Sequence, residues 1–154
     1  MDLTGERRIA APRERVFQAL NDPDRLAAAL PGCESLTRVS DTEFAAVATA
    51  KVGPIAARFT GKVVLEEVEA PVRYRLRGEG KGGAAGLASG EAEVTLHEDG
   101  GATVLRYTAR AKVSGKLAQL GQRVVDTAAR SIADSFFTRF AADLEAREAP
   151  PPAP

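Results

Sequence analysis

The one histidine of the chain, His97, stands in HEDGG, where a strand-like stretch runs into a glycine turn. General base catalysis needs an imidazole within hydrogen-bond reach of a nucleophile, and no serine or cysteine can be paired with His97 by spacing. It reads as an exposed hairpin residue. The single cysteine, Cys33, has no partner for an internal disulfide or a thiolate metal site, and no HExxH or CxxC pattern occurs. Carboxylates gather at Glu66, Glu67 and Glu69 and at Glu91 and Glu93, on positions whose alternation mostly turns them to water. The run GEGKGGAAGLASG at 78–90 matches GxGxxG at Gly78, Gly80 and Gly83. A phosphate-binding loop must leave a parallel strand and open a helix, whereas this run joins two antiparallel strands, so it reads as a flexible hairpin.

Composition narrows the class further. Over 154 residues, 44% hydrophobic and 27% charged side chains make one globular domain with a real core. Lysine plus arginine equals aspartate plus glutamate at 21 each, so no global field recruits nucleic acid. The start, MDLTGERRIAAPRERVF, has charges where a signal peptide needs its apolar run, and no stretch of about 18 apolar residues appears. These features predict a cytoplasmic protein.

The elements that must carry any site follow from periodicity. Leu3 and Ile9 frame a first strand. Pro12 opens a short helix with Val16, Phe17 and Leu20 on one face, and NDPDRLAAALPG predicts a second, capped by Asp22 with Pro23 in its first turn. From Cys33 to about Val113 the period is two, interrupted by turn residues, which predicts six antiparallel strands. One parity carries Phe44, Phe59, Val72, Tyr74, Leu76, Tyr107 and many small residues; the other carries arginine, lysine and glutamate. From Leu117 to Leu144 a stripe spaced at 3.6 predicts one helix of about 45 Å, long enough to seal the covered face. Residues 1–147 are thus predicted to be one domain, and the proline-rich 148–154 a disordered tail; the whole of EAREAPPPAP lacks apolar periodicity.

The covered parity holds Ala46, Ala48, Gly61, Gly78, Gly80, Gly90, Ala92, Ala109 and Ala111, and the facing helix adds Gly121 and Ala128. Small side chains on both sides of a curved layer predict either close packing or a cavity. Gly121 is read as a gap inside the helix's apolar face that leaves room for a ligand. The predicted lining is Phe44, Phe59, Tyr74, Leu76, Gly90, Ala92, Tyr107, Leu117, Gly121, Val124 and Ala128, with no catalytic and no metal-binding residue among them.

Three stretches, LPGCESL at 30–36, GEAEVTL at 90–96 and GKLAQLGQRVVDTAARSIADSFFTRF at 115–140, resemble the CoxG family, the G subunit of carbon monoxide dehydrogenase, within the polyketide cyclase/START-like (SRPBCC) superfamily. The resemblance runs from Met1 to about Ala146. It implies an α+β helix-grip fold in which a seven-stranded antiparallel sheet wraps a long C-terminal helix, with a deep apolar cavity. It further implies an accessory protein of molybdenum-containing carbon monoxide dehydrogenase or a related molybdenum hydroxylase, linking the enzyme to the membrane and to respiratory quinone. Menaquinone, ubiquinone or another apolar molecule is the implied non-covalent ligand. EAREAPPPAP lacks an apolar face, so membrane contact is expected to be peripheral or through partners, at the inner face of the membrane. Two alternatives remain: a cyclase or aromatase that orients a polyketide with Tyr74 or Tyr107, and a ligand-free assembly factor docking through Arg73, Arg75 and Arg77.

Overall fold

The computed structural model describes residues 2–148. Strand β1 (Asp2–Ile9) is followed by helices α1 (Arg13–Leu20) and α2 (Pro23–Ala29) and by strands β2 (Cys33–Ser40), β3 (Glu43–Val52), β4 (Ile55–Glu69), β5 (Arg73–Lys81), β6 (Leu87–Asp99) and β7 (Ala102–Val113). A one-turn helix α3 (Lys116–Gln119) and the long α4 (Gln122–Glu148) complete the chain. The strands form one antiparallel sheet in the order β1-β7-β6-β5-β4-β3-β2, and α4 lies across its covered face. This is the α+β helix-grip arrangement.

Local chemistry sets the boundaries. The Asp22 carboxylate accepts the Asp24 N–H at 3.0 Å and caps α2, with Pro23 in the first turn where its missing N–H costs nothing. Pro12 stands just outside α1, and its carbonyl accepts from Arg15 and Val16. Val72, expected on the covered parity, is 39% exposed instead. The register of β4 on β5 shifts between Glu66 and Glu69 and Glu67 takes a positive φ, so pairing resumes only at Arg73 and Val72 stays in the turn.

The covered face is packed unevenly. At one end Phe44, Tyr74, Val94, Leu96 and Leu105 are buried against Phe140, Ala141 and Leu144 of α4 and Val16, Ala19 and Leu20 of α1. Burying a side chain of the size of Phe140 or Leu144 is worth about 1.5–3 kcal/mol. Polar contacts clamp the same half of the helix: the Ala10 N–H donates to Glu145 Oε2 at 2.8 Å, Arg7 donates to Thr138 Oγ1 at 3.0 Å, and Arg25 lies 3.6 Å from Asp143. Buried Thr103 donates to the Ala11 carbonyl at 2.8 Å and ties β7 to the segment before α1. These contacts explain why the helix runs through residues 145–148, which sequence alone reads as extended. The rest of the expected tail, 149–154, lies outside the described residues.

Toward the other end the sheet rows become small. Val63, Gly78, Gly90 and Ala111 pair across β4–β7, and the next row is Gly61, Gly80, Ala88 and Val113. Their glycines are not equivalent. A Cβ on Gly61 would collide with the backbone carbonyl of Glu79, so Gly61 permits the close strand approach of a curled sheet. A Cβ on Gly80 would meet only the Phe59 side chain, at 3.6 Å, an ordinary contact. Gly61→Ala is therefore expected to lower stability by about 1–3 kcal/mol. Gly80→Ala is expected to leave stability unchanged or raise it by about 0.5 kcal/mol. Urea unfolding midpoints of the two variants check the contrast.

Candidate functional site

Between the small rows of the sheet and the N-terminal half of α4 lies an apolar cavity of about 270 Å³. Ala50, Val52, Phe59, Gly80, Ala88 and Ala111 line it from the sheet. Val113 and Leu117 close it at the end of β7 and in α3, and Val125, Ala128, Ala129 and Ile132 roof it from α4. Lys112 is the one charged residue on its edge. Most of these side chains are half-buried, in contrast to the closed core at the other end. The cavity exists because α4 is clamped at its C-terminal half while glycine and alanine on the sheet cannot reach across to its N-terminal half.

A larger concavity, of about 750 Å³, lies on the opposite face of the sheet among Lys62, Glu66, Arg77, Glu79, Glu91 and Arg110. It is the saddle of a twisted sheet floored by charged side chains that pair with one another, as in Arg77 with Glu66 at 3.3 Å and Lys62 with Glu79 at 3.9 Å. An apolar ligand gains nothing there, so the smaller cavity is the candidate site.

Of the residues expected to line a pocket, Phe59, Leu117 and Ala128 do so. Phe44, Tyr74, Leu76 and Tyr107 belong to or pack on the closed core, where Tyr74 meets Phe17 edge-on at 5.8 Å and Tyr107 stacks on Phe137 at 4.9 Å. Gly90 and Ala92 sit in rows nearer that core and do not border the cavity. Val124 turns toward the β3–β4 hairpin, where its Cγ1 would lie 2.9 Å from a Cβ on Gly53. Ala50, Val52, Ala88 and Ala111 border the cavity as well; their covered parity was legible, but their distance along the helix was not.

Gly121 does not lie inside a continuous helix, contrary to the expectation from its apolar stripe. It separates α3 from α4 with φ +93, and nothing lies within 4 Å of a Cβ built on it. Its N–H donates to the Ala118 carbonyl at 3.3 Å, ending α3 with a left-handed residue and letting the chain turn into α4. The turn sends Leu117, 2% exposed, against the sheet as the end wall of the cavity. The open space beside Gly121 itself is solvent.

Among the described residues, burial shifts two tyrosines and the cysteine. Burial pushes the Tyr74 hydroxyl far above the ordinary tyrosine range; burial, then Asp134, raises that of Tyr107. Both stay neutral near pH 7. Burial also pushes the Cys33 thiol up, away from the thiolate form. His97 is exposed at the end of β6. Among the described residues no three His, Cys, Asp or Glu side chains are grouped to hold a metal ion.

The family described as CoxG, the G subunit of carbon monoxide dehydrogenase, matches residues 5–145. No curated protein matches the sequence. A conserved protein of Geobacillus kaustophilus superposes with a TM-score of 0.87 at 25% identity, over 94% of this chain and 95% of that one. A protein of Thermus thermophilus superposes with a TM-score of 0.73 at 19% identity, over 97% of this chain and 100% of that one. The Zhui aromatase/cyclase of a Streptomyces species has a TM-score of 0.68 at 15% identity, over 97% and 96% of the two chains, a likeness of fold alone.

Gly121→Ala tests the role of this residue as a helix terminator. A left-handed non-glycine residue costs about 1–2 kcal/mol, so the variant should unfold at lower urea while its cavity volume, measured by crystallography, stays unchanged. A cavity that shrinks would place Gly121 in its wall.

Proposed function

The chain belongs to the CoxG family of carbon monoxide dehydrogenase, and we propose that it carries a hydrophobic ligand, a quinone or a lipid, as an accessory of a molybdenum-containing carbon monoxide dehydrogenase or related hydroxylase. The observation that carries the reading is the cavity of about 270 Å³ whose lining is apolar apart from Lys112 at its edge. Ligand sites commonly occupy about 300–1,000 Å³, and this one lies just below that range. It suits a flat ring with the first isoprene units, or a short stretch of acyl chain, while a longer tail extends through the opening. A quinone ring is poorly soluble, and enclosing it between Phe59 and the methyl groups of α4 removes apolar surface from water at about 25 cal/mol per Å².

The cyclase reading needs a polar group that faces the substrate and titrates near neutrality, and the two tyrosines sit in or against the closed core with raised pKa values. The assembly-factor reading rests on outward arginines, but Arg73, Arg75 and Arg77 already face Glu69, Glu67 and Glu66 at 3.1, 3.8 and 3.3 Å. Each arginine is matched by a glutamate, so the patch as a whole is close to neutral and offers no net positive field to a partner.

Calorimetric titration of delipidated protein with short-chain menaquinone, short-chain ubiquinone and a medium-chain fatty acid tests the proposal. One equivalent of at least one of them should bind saturably, and Ala128→Phe, which fills the cavity, should weaken that binding tenfold or more without lowering the melting temperature. Absence of saturable binding for all three would refute the carrier reading.

A further inference from the structure

The aromatic side chains of the domain are paired, with one exception. Among the described residues every other phenylalanine and tyrosine meets a second ring or, at Phe44, the Arg38 guanidinium at 4.8 Å from the ring centre; Phe59 has neither. Among the described lining residues Phe59 is also the only aromatic one. Glycine seats its ring. A Cβ on Gly82 would stand 2.6 Å from Phe59 Cε1 and 3.0 Å from Cδ1 and Cζ, and one on Gly80 would meet Phe59 Cβ and Cδ1 at 3.6 and 3.7 Å. The ring therefore lies along β5, its far edge beside Gly82. The backbone does not demand glycine there: Gly82 has φ −108 and ψ 21, which ordinary residues adopt in turns, whereas Gly83 and Gly86 have positive φ. What glycine provides at 82 is room for the ring. Its N–H donates to the Gly86 carbonyl at 2.8 Å and its carbonyl accepts from Ala85 at 3.1 Å. With the backbone so held, a methyl group at 82 would have to move the ring.

The chain uses the same device at its closed end. A Cβ on Gly5 would collide with the Tyr107 ring, and there α4 supplies a second ring, Phe137, stacked on Tyr107 at 4.9 Å. Over the cavity α4 presents Ala128, Ala129 and Ile132 instead, and the cavity lies between them and Phe59. We propose that Phe59 is the specificity-determining residue of the cavity, stacking on a planar, electron-poor ring of the ligand, and that Gly82 is a positioning residue that keeps the Phe59 ring down on β5. Gly82 itself does not border the cavity. This role rests on the carrier reading above and narrows it, from a quinone or a lipid to a ligand with a quinone-like ring. The face of a phenyl ring carries partial negative charge, so it favours an electron-poor ring in offset stacking, a contribution that a saturated chain cannot make. A chain gains from burial alone, and leucine at 59 would serve it about as well as phenylalanine.

Calorimetric titration of the full chain with two probes, a short-chain menaquinone and decanoic acid, tests the proposal. Phe59→Leu should weaken menaquinone binding about fivefold, the share of an aromatic pair beyond its burial. Decanoic acid binding should stay within about twofold of the parent's, which also reports that the variant is folded. Gly82→Ala should drive the ring off β5 into the cavity, visible in a crystal structure, and weaken both probes about tenfold. Adding Phe59→Leu to Gly82→Ala should recover decanoic acid binding but not menaquinone binding, because the shorter side chain clears the new methyl group. Equal loss of both probes in Phe59→Leu, or loss of neither, would overturn the stacking role. A ring that stays on β5 in Gly82→Ala would overturn the positioning role. Both results leave the carrier reading standing, as does a parent that binds decanoic acid alone, which also overturns the stacking. A parent that binds neither probe sinks the carrier reading and the stacking together.

Discussion

One seam governs the rest of the structure: Phe140, Ala141 and Leu144 of α4 packed against Ile9, Leu96 and Leu105 of the sheet, with Val16 and Leu20 of α1 closing the other side. A helix of 27 residues is nearly rigid on the scale of the domain. Fixing its C-terminal half by apolar burial and by the contacts of Thr138, Asp143 and Glu145 therefore fixes the height of its N-terminal half above the sheet. At that height the glycine and alanine rows cannot fill the space beneath Val125, Ala128 and Ile132. The cavity is a consequence of where the helix is held, not of residues that push it open.

Curvature completes the device. Gly61 lets β4 and β5 approach so closely that no side chain could stand between them, and Gly90 has the Arg110 carbonyl 2.9 Å from where its Cβ would be. At these two positions a side chain would strike the backbone of the neighbouring strand, whereas at Gly80 there is room for one. Binding function and foldability thus draw on the same residue type for different physical reasons, and only backbone geometry separates the two uses.

The sequence carried the fold clearly. Alternation from Cys33 to Val113 marks the six strands, the 3.6 spacing from Leu117 to Leu144 marks a long C-terminal helix but runs α3 and α4 together, and Asp22-Pro23 marks the start of α2. It carried the site less well. Parity says which face Tyr74 and Ala88 share but not that one lies in the closed core and the other at the cavity, because that depends on where a straight helix diverges from a curved sheet. Gly121 shows the same limit: its neighbours fit a helical stripe, and only the left-handed backbone reveals that α3 stops before α4 begins. Residues 145–148 escape a local reading for a related reason, since the contact of Glu145 with Ala10 spans 135 residues and leaves no local trace.

A methyl-labelled nuclear magnetic resonance titration with a short-chain quinone tests whether the space beneath the N-terminal half of α4 holds the ligand. Shifts should concentrate on the methyl groups of Ala50, Val113, Leu117, Ala128 and Ile132, with those of Ile9, Leu96 and Leu105 left in place. Shifts confined to the closed core or to the outer sheet face, or none at saturating quinone, would contradict it.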